Sequence, residues 1–171
     1  MQPFLFLCLV VPLWGATPPE PDFKSNFLDL WARAGAYTLE VADAMPESAY
    51  DYRPTPDVMT FREQLTHLVQ NLNWITSTFL KDETSPLEGR SLEHLSKKEL
   101  ITALTAAFSY VEATAQHFPP EALADPVTFG NAPVNKERLF YVMRDHMTHH
   151  RAQCILYLRM NGIEPPSYRG W

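Results

Sequence analysis

Four stretches of the chain place apolar residues at three- and four-residue steps, and none alternates them cleanly at every second position. A chain built this way has four amphipathic helices to bury and no sheet to bury them against, so the helices must cover one another. The first stretch runs from about Ser25 to Ala44, with Phe27, Leu30, Trp31, Ala34, Tyr37 and Val41 in one stripe. The second starts at Thr60 and runs to about Leu80 through Phe61, Leu65, Leu68, Leu72, Ile75 and Phe79. The third follows Ser96 with Leu100, Leu104, Ala107, Phe108, Val111 and Ala115, ending near His117. The fourth starts at Asn135 and passes Leu139, Val142, Met143, His146, His150, Cys154 and Tyr157 before Asn161.

The ends of these stretches carry their own chemistry. Thr60-Phe61-Arg62-Glu63 and Ser96-Lys97-Lys98-Glu99 are capping boxes, in which hydroxyl and carboxylate satisfy free backbone N–H groups. Asn135 is a good N-cap, Gly162 suits the position after the last turn, and Pro165-Pro166 stops any continuation. The chain has 15 prolines, and they sit at the joints and termini, where a helix tolerates them. Four helices of roughly 20 residues, each about 30 Å long, suit an all-α, antiparallel four-helix bundle. The long connections, Pro46 to Pro56 and Phe118 to Val134, leave room for a less regular topology, and nothing in them reads as a strand.

At 171 residues, 46% apolar and 20% charged, the chain fits one domain with a real core. Its net charge of -6 argues against a nucleic-acid partner and against adhesion to anionic membranes. Residues 1–16 stand apart from that domain. Phe4 to Trp14 is a nearly continuous apolar run, too short to span a bilayer, and the chain turns polar after Gly15-Ala16. This pattern reads as a secretory signal, with 17–171 as the mature domain in the periplasm or outside the cell and no stable membrane association after cleavage. The lack of Lys or Arg after Met1, and Trp14 three residues before the cut, leave open a retained N-terminal anchor, a misassigned start codon, or a cytoplasmic protein. Of the two cysteines, Cys8 lies in the signal, so Cys154 has no partner for an internal disulfide.

The chemistry concentrates in the histidines. His146 and His150 are one turn apart on the fourth helix, so their rings project side by side, in the middle of that helix's apolar stripe. Two imidazoles in a bundle core are costly unless each has a partner. One divalent metal satisfies both, and so would hydrogen bonds to side chains across the bundle. His149 is rotated by about 100° from His150 and cannot share that face equally. His67 lies on the shoulder of the second stripe, a place that suits a ligand at a cleft mouth and a half-exposed surface histidine equally well. His94 and His117 flank the third helix and read as exposed. Three imidazoles would leave a fourth zinc position open for water or substrate, while Ni, Fe and Mn also accept imidazole. Glu63 is one turn from His67, but the cap already uses it.

Three stretches resemble the DinB/YfiT-like superfamily of small metal-binding bundles. They are Tyr52-Arg53-Pro54-Thr55-Pro56, the segment Thr60 to Leu68, and Asp145-His146-Met147-Thr148-His149-His150-Arg151-Ala152-Gln153 followed by Tyr157-Leu158-Arg159 and Gly162. The resemblance covers about residues 24–168, and Ala152 departs from it where glycine is frequent. It implies that His67, His146 and His150 are the metal ligands, in a bundle with a long crossover connection that often dimerises. Its members include thiol-dependent transferases and proteins that look like hydrolases or isomerases, so the fold does not choose the reaction. The reading adopted is a metal-dependent hydrolase of an unidentified small molecule, with zinc first among the metals and metal-activated water as nucleophile. A thiol S-transferase, against which export counts, and a non-catalytic metal-binding stress-response module are the alternatives. Cys154 fits a buried structural thiol better than a ligand, and Glu63 or Asp145 would at most orient one. Trp31, Trp74 and Tyr141 either line a pocket or pack in the core.

Overall fold

The structure, a computed structural model, describes residues 22–169. The apolar run read as a secretory signal, and Cys8 with it, lie outside the described residues. The chain folds into four long helices, α1 (Phe23–Ala44), α2 (Phe61–Ile75), α3 (Lys97–His117) and α4 (Lys136–Met160). Each starts where a side chain can take a free backbone N–H. Asp22 accepts from Ser25 N at 2.8 Å and so lengthens the first helix by the turn that carries Phe23. Thr60 and Ser96 close reciprocal boxes with Glu63 and Glu99, and Asn135 accepts from Arg138 N at 2.9 Å. α4 ends in a Schellman turn: Ile163 N donates to Leu158 O and Gly162 N to Arg159 O, both at 3.0 Å. That turn requires a left-handed residue, and Gly162 supplies it with φ +72°.

α1 packs on α3 and α4, and α2 also packs on α3 and α4. Consecutive helices α1 and α2 are therefore diagonal partners, as are α3 and α4. The connections of residues 45–60 and 118–135 each carry the chain across a diagonal of the bundle. The core lies along the axis, where Trp31, Leu65, Leu68, Leu104, Phe140 and Tyr157 are among the buried side chains. Buried polar groups are tied into it: Trp31 Nε1 donates to Phe108 O at 3.1 Å and Tyr50 Oη to Ala42 O at 2.8 Å.

Two features depart from the sequence expectation. The second helix does not run evenly to Leu80; after Ile75 it widens into a π-helical turn over Thr76–Lys81 and stops at Asp82, which is left-handed at φ +52°. The widened turn begins where two buried hydroxyls enter: Thr76 Oγ1 meets Met143 Sδ at 3.4 Å and Ser77 Oγ donates to Trp74 O at 3.4 Å. Its extra residue keeps Leu80 buried while Phe79 turns towards Trp74. The connection before α4 holds a short antiparallel hairpin, β1 (Pro126–Phe129) with β2 (Ala132–Asn135), and no unbroken loop. Gly130-Asn131 is its two-residue turn, with positive φ at the glycine alone, as a type II′ turn requires. Strands of four residues with a proline in each hide the alternation, but Val127, Phe129 and Val134 still pack on the core.

Leu68→Ala should lower stability by about 2–5 kcal/mol, because a fully buried leucine leaves a cavity. Gly35→Ala should act in the other direction, by about 0.5–1 kcal/mol, since its Cβ would meet Phe108 at an ordinary 3.5 Å and a helix interior favours alanine. Urea denaturation followed by circular dichroism reads both.

Candidate metal centre

α2 and α4 are neighbours, and their facing sides bring three imidazoles together. The ring centroids of His67, His146 and His150 form a near-equilateral triangle with sides of 5.0, 4.9 and 4.4 Å. One ring nitrogen from each lies within 4.8 Å of the other two. A tetrahedral zinc with bonds of about 2.0–2.1 Å spaces its nitrogens roughly 3.3 Å apart, so small χ rotations close the set. Among the described residues no other His, Cys, Asp or Glu joins this group.

The surroundings prepare the rings for a cation. His150 is 6% exposed and its Nδ1 lies 2.5 Å from Gln64 Oε1. Gln64 Nε2 points to Tyr157 Oη at 3.4 Å, and Tyr157 Oη donates to Met59 O at 2.9 Å. The amide nitrogen is thus committed to Tyr157, which leaves the amide oxygen for His150. The His150 proton therefore sits on Nδ1, and the lone pair of Nε2 is left for a metal. His146 makes the same case by a different route: its Nε2 is buried and has no hydrogen-bond partner. A buried, unpartnered imidazole nitrogen beside two others is the arrangement a divalent ion satisfies. Of the two partners left open by the sequence, a cross-bundle hydrogen bond serves one nitrogen of His150 and leaves His146 Nε2 unserved.

Electrostatics point the same way. Burial first, and then His67 and His149, lower the pKa of His146 from 6.5 to about 4. Burial first, and then His146, His67 and His149, lower that of His150 to about 3. Both rings are neutral near pH 7, the form that binds metal.

The remaining sequence candidates fall outside the triangle. His149 is exposed and stands edge-on to His150, with ring centroids 5.0 Å apart. His117 is exposed with Nδ1 2.9 Å from Ala113 O, and His94 is exposed beyond α2. Glu63 stays in its cap, taking Thr60 N at 2.7 Å, and Asp145 is on the solvated face. Cys154 is fully buried and burial pushes its thiol pKa upward, as suits a structural residue. Trp31 belongs to the core, whereas Trp74 and Tyr141 are 46% and 42% exposed, contrary to a core role for those two. Trp74 packs against Phe79 and against Phe129 of the hairpin. Gln64, the partner of His150, is a residue that the sequence did not single out; its place three residues before His67 was the available signal.

His67 is half-buried and opens onto a cleft of about 800 Å³ that also takes in Arg53, Met59, Arg62, Glu93 and His94. Of the three imidazoles, His67 alone lines this cleft.

A family model described as the DinB superfamily matches residues 30–154. The fold is also that of solved structures. A DinB-like protein from Bacillus subtilis is 18% identical, with a TM-score of 0.69 over 84% of this chain and 97% of that one. A DinB-like protein from Bacillus cereus is 20% identical, with a TM-score of 0.70 over 84% and 96%. A conserved protein from Enterococcus faecalis is 16% identical, with a TM-score of 0.66 over 80% and 95%. No curated protein matches the chain.

The buried rings make the metal-free fold acid-sensitive. Unfolding returns His146 and His150 to water, where they titrate near 6.5, while in the fold they wait until about 4 and 3. Between those limits the unfolded chain binds more protons, so stability present above pH 6.5 is lost as the pH falls towards 4. With chelator present, the urea midpoint should be lower at pH 5 than at pH 7.5. A His146→Gln/His150→Gln variant should flatten that profile, and an unchanged slope would count against the two rings as its source.

Proposed function

Because this chain belongs to the DinB superfamily, we propose that it is a divalent-metal-dependent enzyme, a hydrolase of small molecules centred on His67, His146 and His150. The observation that supports this reading is the three-imidazole set with no fourth protein ligand among the described residues. Structural zinc is closed by four protein ligands, whereas catalytic zinc keeps a position for water or substrate. When bound, the ion supplies Lewis acidity and makes water acidic enough to act as a nucleophile near neutral pH.

The protein's part is positioning. Gln64 holds His150 in one tautomer and Tyr157 holds Gln64, so the ring cannot turn its Nδ1 inward. α4 sets His146 and His150 at one-turn spacing, and α2 brings His67 across to them. Asn71 lies one turn beyond His67 on the same face of α2, and its buried Oδ1 has no partner. The cleft beside His67 carries both arginines and acids and suits a small polar substrate better than a lipid. Cys154, buried and protonated, takes no part.

Metal analysis of the purified protein tests the centre. Wild type should carry one divalent ion per chain after loading, and His150→Ala and His67→Ala should lose it. Full affinity in His67→Ala would remove that residue from the set. Gln64→Ala should keep its helicity and weaken metal binding about 10–100-fold. A panel of esters, amides and lactones, with and without chelator, then tests hydrolysis. Metal-dependent consumption of a thiol with an electrophile, and none of the panel, would replace the reading with an S-transferase. Stoichiometric metal without turnover would leave a binding module.

A further inference from the structure

Arg151 follows His150 in α4 but turns to α1. It is 7% exposed. Its Nη1 donates to Ala34 O at 3.1 Å and to Thr38 Oγ1 at 3.3 Å, and its Nη2 donates to Thr148 Oγ1 at 3.4 Å. Its Cζ lies 4.9 Å from the centre of the Tyr37 ring. Every one of these partners is neutral. A guanidinium carries five N–H donors, and the three bonds leave the rest unassigned. Among the described residues no carboxylate comes within ion-pair distance of Arg151. A buried cation in that state has given up its hydration without gaining a counter-charge.

Three further arginines gather at the same place. Arg144 lies two turns before Arg151 on the same side of α4 and also has no acid partner among the described residues. Arg33 of α1 pairs with Asp29, and Arg169 of the C-terminal segment pairs with Glu40 at 2.7 Å. The four arginines, with Thr148 and Tyr168, line a pocket of about 80 Å³ between α1 and α4. Only two of the four have an acid, so the pocket has excess positive charge in a chain whose net charge is -6. A liquid water takes up about 30 Å³, so the space holds a group the size of a phosphate and not a nucleotide.

We infer that this pocket binds a small tetrahedral oxyanion, phosphate or the terminus of a phosphate monoester, held by Arg151 and Arg144 with Arg33 and Arg169 at its rim. The planar fork of arginine matches two oxygens of such an anion at once, and a ligand of that charge supplies the counter-ion that Arg151 lacks. The Arg151 bonds to Ala34 and Thr38 of α1 and to Thr148 one turn back aim the guanidinium before the anion arrives. The site uses none of the metal-centre histidines, so it stands or falls apart from the proposed hydrolase.

Calorimetric titration of the full chain with inorganic phosphate at constant ionic strength tests it. Saturable binding of one phosphate per chain, at millimolar concentration or below, is expected both with and without chelator. Sulfate should compete, and chloride should not. Arg144→Ala, at a half-buried position that leaves the α1 contacts intact, should weaken binding about tenfold or more. Arg159→Ala, exposed and away from the pocket, should bind as wild type does. Phenyl phosphate beside inorganic phosphate separates an esterified from a free ligand, and saturable competition from either supports the site. Absence of saturable binding, loss of binding on chelation, or wild-type affinity in Arg144→Ala would each overturn it.

Discussion

The contact between α2 and α4 builds the candidate metal centre, and at its heart is a hydrogen bond between Gln64 and His150. Leu65, Leu68 and Leu72 bury one side of α2, and Met143, Met147 and Leu158 are buried along α4. Burial of this kind contributes about 1.5–3 kcal/mol for each large side chain, enough to hold polar groups where they would not choose to be. The cost of sinking two imidazoles among them is then met locally. Gln64 satisfies one nitrogen of His150, Tyr157 orients Gln64, and the Met59 carbonyl anchors Tyr157. What that chain does not satisfy, the Nε2 of His146, points to the site itself.

Topology explains why the site falls between helices that are not consecutive. With α1 and α2 on one diagonal and α3 and α4 on the other, each helix is flanked by both members of the other pair. α4 therefore presents one side to α2, where the histidines meet His67, and another to α1, where Arg151 reaches Ala34 and Thr38. Adjacent residues His150 and Arg151 serve different interfaces because each helical step turns by about 100°. A single eight-residue stretch, Arg144 to Arg151, thereby supplies both an electron-donating centre and a cationic pocket.

Much of this was legible in the chain. The four stripes, both capping boxes, the Asn135 cap and the Gly162 stop are local patterns, and each has its counterpart in the structure. The i, i+4 pair of His146 and His150 was legible for the same reason. His67 was ambiguous, since a shoulder position on one helix becomes a site only if another helix brings groups to it. Gln64 was marked only by its place one turn before His67, and its bond to His150 depends on a contact 86 residues away in sequence. The hairpin escaped notice because prolines broke its alternation, and the π-helical turn because its cause is the packing of Thr76 on Met143.

The sequence by itself thus determined where helices begin, where they end and which faces are apolar. Those properties follow from hydrogen bonds and side-chain spacing within a few residues of one another. Only the tertiary structure decided which faces meet, that three imidazoles come within reach of one ion, and that Arg151 is buried without an acid. Those outcomes depend on the order of helices around the bundle, and that order is set by long-range packing, which no short window of the chain contains.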